Sequence, residues 1–274
     1  MSDKTSIAWT DHTFNPWWGC EKVSPGCAHC YAETFAARVG KTGIWGPEHG
    51  FRFFGDKHWA EPCKWDWTAE AEGRRHRVFC ASMADVFEDR DELEPIRARL
   101  FNLIANTPHL DWQILTKRPA VAARWLRPWE AMVPNLWLGV SIENARWVGR
   151  ANALRDTSAA VRFISAEPLL GPLVQRCPRL DCRDGIWYAS LYGPAHVCED
   201  CHGTGWIGLD LTGIDWLIIG GESGPHARPM DPQWVRDLIV KARAAGTAVF
   251  VKQMGGLRPG GPLPDEFNIR EYPR

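Results

Sequence analysis

A chain of 274 residues, 45% hydrophobic and 24% charged, has the composition of a globular protein and the length of one large domain. A net charge of -1 gives bulk electrostatics no pull towards nucleic acid or an anionic membrane, which leaves only local basic patches for such contacts. No apolar run approaches the roughly 20 residues that cross a bilayer, and Met1-Ser2-Asp3-Lys4 opens no signal peptide, so a cytoplasmic protein with no membrane partner is expected. In that compartment nine cysteines argue for metal or cluster binding rather than disulfides.

Taken in order, Ser6-Ile7-Ala8-Trp9-Thr10 reads as a short first strand. Residues 11–18 then lead into a loop that carries Cys20, Cys27 and Cys30, spaced C-x6-C-x2-C. Gly19 and Gly26 supply permissive backbone there, and Pro25 stiffens it. Three thiolates on one loop leave one iron of a [4Fe-4S] cluster open to another ligand. Two other readings stand beside that one: His29 completing a four-ligand zinc site, or buried free cysteines. A helix is expected over 31–39. Residues 41–73, rich in Gly, Trp, Phe and His and without a clear period, read as an irregular loop insertion. Its Cys63 is either a fourth thiolate or a lone buried cysteine.

From residue 77 a rhythm sets in. Apolar runs at 77–81, 111–115, 135–140, 161–164, 214–219 and 248–251 read as strands, with helices expected over 92–106, after 119, over 145–154 and over 232–245. Seven short apolar strands, most separated by helices, indicate parallel strands covered on both sides. The fold class expected is α/β, a TIM-like βα barrel, complete or partial, spanning 1–274; no G-x-G-x-x-G follows the first strand to favour a Rossmann sheet. Residues just after each strand would share one mouth of the barrel. They include Thr10, Ser82, Asp85, Thr116, Lys117, Arg118, Ser141, Glu143, Asn144, Ser165, Glu167, Glu222, Ser223, Lys252 and Gln253. The 16 tryptophans are spread along the chain and suit an ordinary core better than a pocket for a flat ligand.

Between the fifth and sixth strands, over 174–212, lies a second cysteine group. Cys177 and Cys182 form C-x4-C, and Cys198 and Cys201 form C-x2-C followed by Gly203 and Gly205. Two thiolate pairs at that separation fit a zinc knuckle with four cysteine ligands, with an auxiliary iron–sulfur cluster as the alternative. About thirty residues cannot bury a core alone, so the metal's role there is expected to be structural.

A three-cysteine loop after the first strand of a βα barrel resembles the radical S-adenosylmethionine superfamily, here with a first gap of six instead of the usual three. More closely, the chain resembles a three-cysteine, radical-SAM-like family found in phages and bacteria and known by phage gene-product numbers. The matching words are Phe14-Asn15-Pro16-Trp17-Trp18-Gly19-Cys20, Cys27-Ala28-His29-Cys30-Tyr31-Ala32, Leu115-Thr116-Lys117-Arg118-Pro119, Gly139-Val140-Ser141-Ile142-Glu143-Asn144, Ser165-Ala166-Glu167-Pro168-Leu169, Gly220-Gly221-Glu222-Ser223-Gly224 and Val251-Lys252-Gln253-Met254-Gly255-Gly256. The resemblance implies that Cys20, Cys27 and Cys30 hold a [4Fe-4S] cluster whose open iron binds S-adenosylmethionine. Reductive cleavage would then give a 5′-deoxyadenosyl radical that takes hydrogen from substrate. It places Tyr31 near adenine, and Ser141 and Glu143 near the ribose. The superfamily's Gly-Gly-Glu word for the methionine amine is missing after strand two, where Asp85 stands instead. It occurs after strand six, at Gly220-Gly221-Glu222. With Glu167, these complete the cofactor-binding candidates.

The resulting expectation is a radical enzyme that modifies or repairs a nucleic acid or nucleotide and draws on an electron donor. Arg74-Arg75-His76-Arg77 and Lys117-Arg118 either contact phosphates or, as short basic runs usually do, lie as solvated surface. The alternatives are a non-catalytic, metal-stabilised nucleic-acid-binding module and an electron-transfer or light-linked repair protein.

Overall fold

The computed structural model describes residues 5, 7–179, 181–183, 186–188, 194–199, 201, 203 and 205–273. Seven strands form one sheet in chain order: β1 (His12–Thr13), β2 (His76–Cys80), β3 (Leu110–Thr116), β4 (Leu136–Ser141), β5 (Val161–Ala166), β6 (Trp216–Gly220) and β7 (Ala248–Gln253). Every neighbouring pair is parallel. Runs such as Trp216–Gly220 are buried along their whole length, as a parallel strand covered on both faces must be. Helices α1 (Tyr31–Arg38), α2 (Glu61–Glu72), α3 (Glu94–Ala105), α4 (Pro119–Leu126), α5 (Arg150–Arg155) and α6 (Pro232–Ala245) alternate with these strands. α6 has the end signals its sequence promises: Asp231 accepts a hydrogen bond from the Gln233 N–H, Pro232 opens the first turn, and Gly246 closes the helix at φ 72°.

The sheet is curled. The Trp9 ring lies 4.7 Å from Phe79 on β2 and 6.0 Å from Trp216 on β6, whereas four flat ladder spacings would separate those strands by about 19 Å. Trp9, Phe79, Phe163, Trp216, Ile218 and Phe250 fill the concave side as a packed aromatic core, so these tryptophans are packing residues. Gly139 lets β4 and β5 approach there; a Cβ on it would lie 2.3 Å from the Phe163 ring. β1 and β7 are the two ends of the sheet order, and no ladder joins them among the described residues, which makes the barrel partial. The C-terminal segment lies along β7, with the Val251 and Glu271 N–H groups bonded to Ile269 O and Val249 O. From there Tyr272 reaches Trp216 and receives the Arg77 guanidinium over its ring at 4.2 Å.

Two expectations about the N-terminal third are corrected. The first strand is His12–Thr13 rather than 6–10, whose residue 6 lies outside the described residues. Trp9 turns inward to fill the core, and the Thr10 hydroxyl donates to Arg77 O at the amino end of β2, so Thr10 is at the opposite end of the barrel from the mouth. The stretch 41–73 is not wholly irregular. Arg52–Phe53 pairs antiparallel with Trp17–Trp18, and α2 occupies twelve residues. α2 shows no period because it buries a polar residue: Asp66 accepts from the His109 N–H at 2.7 Å. Cys63 is half-buried on this helix and is not among the four thiols gathered at 177–201.

Candidate functional site

The loop from Gly19 to Cys30 lies across the carboxyl ends of the strands, and three carboxylates hold it there. After β2, Asp85 accepts from the Thr116 hydroxyl, the Lys117 N–H and the Arg118 guanidinium, at 2.7, 3.0 and 3.0 Å. Arg118 in turn donates to Glu21 O, next to Cys20. After β4, fully buried Glu143 accepts from the Ser24 hydroxyl, and from Arg150 at 3.0 Å on its other oxygen; Ser24 Oγ also lies 3.8 Å from Cys27 Sγ. After β6, Glu222 Oε2 lies 3.0 Å from His29 Nδ1, next to Cys30, and pairs with Arg228, whose guanidinium also donates to Pro25 O. Each of the three loop carboxylates is thus matched to one arginine and fixes the loop beside a different cysteine.

Burial and electrostatics act in opposite directions on these groups. Burial pushes the Glu222 carboxyl up, but the donors from Arg228 and His29 outweigh it and bring it down to about 2. At Cys20, burial and the Asp85 carboxylate push the thiol up, while Arg118 pulls it down. Burial pushes the Arg150 guanidinium down against the pull of Glu143. A fourth carboxylate, Glu88, is buried against His49 at 2.8 Å and accepts from the Glu21 N–H at 3.2 Å, so it ties residues 41–55 to the same loop.

Glycines keep the floor of the mouth low. A Cβ on Gly26 would lie 2.6 Å from Glu143 Oε1, one on Gly220 would lie 2.3 Å from Glu167 Oε1, and one on Gly221 would lie 2.2 Å from Met254 O. Glu167 pairs with Lys252 at 3.1 Å and accepts from the Ser165 hydroxyl. The Ser141 hydroxyl accepts from Lys117 Nζ at 3.3 Å. Tyr31 stands on the rim, largely exposed, its hydroxyl donating to Ser82 O at 2.7 Å.

The three early sulfurs do not gather around one point. Among the described residues, the group of three or more ligand atoms close enough for a single metal ion is Cys177, Cys182, Cys198 and Cys201, all within 4.8 Å of one another. Thiolates about 2.3 Å from one zinc stand about 3.8 Å apart at the corners of a tetrahedron. The Cys177–Cys198 and Cys182–Cys201 sulfurs are each 3.7 Å apart, far beyond a disulfide bond and right for a single tetrahedral ion. The Gly205 N–H points at Cys201 Sγ at 3.3 Å, and Gly203 turns the chain at φ 80°. Burial pushes the Cys201 thiol up, yet that N–H and the neighbouring thiols bring it down to about 7. This group can bind a metal ion. Cys20, Cys27 and Cys30 do not form such a group, and His29 meets Glu222 at 3.0 Å. A cubane binds each thiolate to a different iron, so three thiols on one loop are a donor set that such a cluster can take.

Sequence reasoning offered Arg74, Arg75 and Arg77 as phosphate contacts or solvated surface. They lie at the amino end of β2, opposite the mouth, and are neutralised by Asp11, Glu72 and Asp111. Arg118 likewise serves Asp85, and Asn144 caps the turn that follows it by accepting from the Arg146 N–H. Sequence reasoning missed Ser24, His49, Glu88, Arg150 and Arg228. The Ser24 and Arg228 contacts span 119 and 203 residues, and no local pattern announces them.

A partial parallel βα barrel with a three-cysteine loop on its carboxyl mouth and a four-thiol metal group between β5 and β6 defines the class. The chain belongs to the family described as "Protein of unknown function (DUF5131)", whose model matches residues 4–263. No curated relative matches it. Among solved structures, a point mutant of spore photoproduct lyase is similar at 18% identity and TM-score 0.44, over 61% of this chain and 48% of the lyase. A form with bound AdoMet and dinucleoside spore photoproduct gives 17% and 0.44, over 61% and 48%. One with the dinucleoside alone gives 14% and 0.47, over 88% and 63%. The chain thus spans about half to two thirds of the lyase's length.

Proposed function

We propose that the chain is a radical S-adenosylmethionine-type enzyme and that its substrate is a nucleic acid or nucleotide. The observation that carries the reading is the three-cysteine loop itself, held across the barrel mouth by the Ser24–Glu143 and His29–Glu222 contacts. In this reading Cys20, Cys27 and Cys30 would hold a [4Fe-4S] cluster, and Cys177, Cys182, Cys198 and Cys201 would hold a structural zinc ion. When bound, the cluster supplies the electron for reductive cleavage of S-adenosylmethionine and so the radical that takes hydrogen from substrate.

The chain's own residues then divide into two roles. Tyr31, Ser141 and Glu167, with Lys117 and Lys252 beside them, are assigned to the ligand at the mouth. Asp85, Glu143 and Glu222 hold the loop, each of them paired with an arginine. Gly26, Gly220 and Gly221 let the backbone pack directly against Glu143, Glu167 and Met254 at the mouth. The substrate class follows the family resemblance of the sequence words, because the basic run at 74–77 is already spent on carboxylates.

The test is anaerobic purification with iron, sulfide and zinc counted per chain, followed by S-adenosylmethionine and dithionite. Four irons with one zinc, and 5′-deoxyadenosine on reduction, are expected. Zinc at both sites would replace the reading with a metal-stabilised binding module. A reducible cluster that never yields 5′-deoxyadenosine would replace it with an electron-transfer protein.

A further inference from the structure

α1 begins at Tyr31, one residue past Cys30, and carries an apolar line that is exposed among the described residues. Tyr31, Phe35 and Val39 are 59%, 46% and 46% exposed, and their four-residue spacing puts them on one face. The other face is used normally: Ala32 and Ala36 are buried with Trp18 and Met83. The line continues onto the strand pair beside it. Phe35 lies 5.9 Å from Trp18, and Arg52 lies over the Trp18 and Phe54 rings at 4.5 and 5.0 Å. Contiguous apolar surface of this kind marks an interaction site.

Arg38 and Lys41 are exposed at the carboxyl end of α1, and no carboxylate pairs with either of them, or with Arg52, among the described residues. The acid on the helix, Glu33, is neutralised by Lys22 at 2.6 Å. A surface with an aromatic centre and unpaired cations at its edge is complementary to an acidic partner.

We propose that this flank of α1 is the docking surface for an acidic one-electron carrier protein. The inference rests on the radical reading above, which calls for such a donor. A helix rises about 1.5 Å per residue, so the whole line lies within about 12 Å, along the axis, of the end that carries Cys30. A carrier seated on it is therefore brought against the candidate cluster. A patch of this small extent matches the weak, compact interfaces of electron-transfer encounters. The step is the passage of one electron from the reduced carrier, which is oxidised, to the cluster, which is reduced; no bond or proton changes place.

The test uses the full chain after iron and sulfide reconstitution, with its iron counted, and an acidic flavodoxin carrying a fluorescent label. Binding is read by anisotropy at low and high salt, and cluster reduction is followed by stopped-flow absorbance with reduced flavodoxin and, separately, with dithionite. Phe35→Ser and the double change Arg38→Glu/Lys41→Glu are each expected to weaken flavodoxin binding about tenfold or more, the latter also flattening its salt dependence. Both should slow reduction by flavodoxin and leave reduction by dithionite unchanged. Unchanged flavodoxin binding in both variants overturns the proposal. So does a loss confined to binding of a labelled single-stranded oligonucleotide, or a change of oligomeric state in its place. Absence of iron would sink the radical reading alone, because the anisotropy still decides the surface: variant-sensitive binding supports it and its absence overturns it.

Discussion

Gly26 and Glu143 approach so closely that one methyl group would not fit between them. A Cβ on Gly26 would lie 2.6 Å from Oε1 and 2.8 Å from Cγ of a fully buried side chain that Arg150 and Ser24 hold in place. The glycine is therefore required by space rather than by backbone angle. It is what lets the middle of the cysteine loop rest on the end of β4.

Gly26→Ala is accordingly expected to lift the loop rather than unfold the barrel. Overpacking of this kind costs about 1–3 kcal/mol. Iron retained after reconstitution should fall several-fold while zinc stays at one per chain. Iron and zinc counts on the variant check this, and equal loss of both metals would show that the barrel itself had been disturbed.

Glu143→Ala tests the middle brace from the other side. It leaves the Arg150 guanidinium buried without its partner, and removing one member of a buried pair costs about 3–5 kcal/mol. Arg150→Ala in the same background should recover part of that loss, since it removes the stranded charge. Urea denaturation of the two single variants and the double variant measures the coupling. Additive effects would mean that the pair contributes nothing jointly.

Much of the frame is readable in the residues. β2 to β7 appear as apolar runs because parallel strands are buried on both faces. α6 appears between Asp231-Pro232 and Gly246 because those residues have preset roles at helix ends. The four-thiol group appears because its ligands lie close in sequence as well as in space. β1 is misplaced because Trp9 is as apolar as a strand residue but is spent filling the barrel. α2 is hidden because a buried Asp66 interrupts its apolar face. The braces of the cysteine loop are unreadable for a different reason. A serine on the loop and an arginine after β6 look like any surface residue until the fold brings them to Glu143 and Glu222.

On the proposed reading, the two cysteine groups should be separable. Cys198 is fully buried within the four-thiol cluster, and Cys198→Ser removes one of its ligands. Zinc should be lost and residues 174–212 should become open to protease, because a segment of that size has little core of its own. Iron at Cys20, Cys27 and Cys30 should be retained. Metal counts and limited proteolysis check this, and joint loss of iron and zinc would show that the knuckle supports the barrel mouth.

The last brace sets an acid limit. Glu222 titrates at about 2 in the folded chain, below its ordinary 4.5, because Arg228 and His29 hold its charged form. A carboxylate depressed on folding contributes stability that is fully present above the higher value and is lost as pH falls through the lower one. The window is therefore about pH 4.5 down to about pH 2, and protonation there releases Arg228 from the carboxylate and frees the loop at Pro25 and His29. Glu222→Gln cannot ionise, so it should be less stable than the wild type above about pH 5 and approach it near pH 2. Urea midpoints of both proteins measured across that range, with metals removed from each, isolate the contribution of this side chain. A difference that does not change with pH would mean that the Glu222 charge does not anchor the loop.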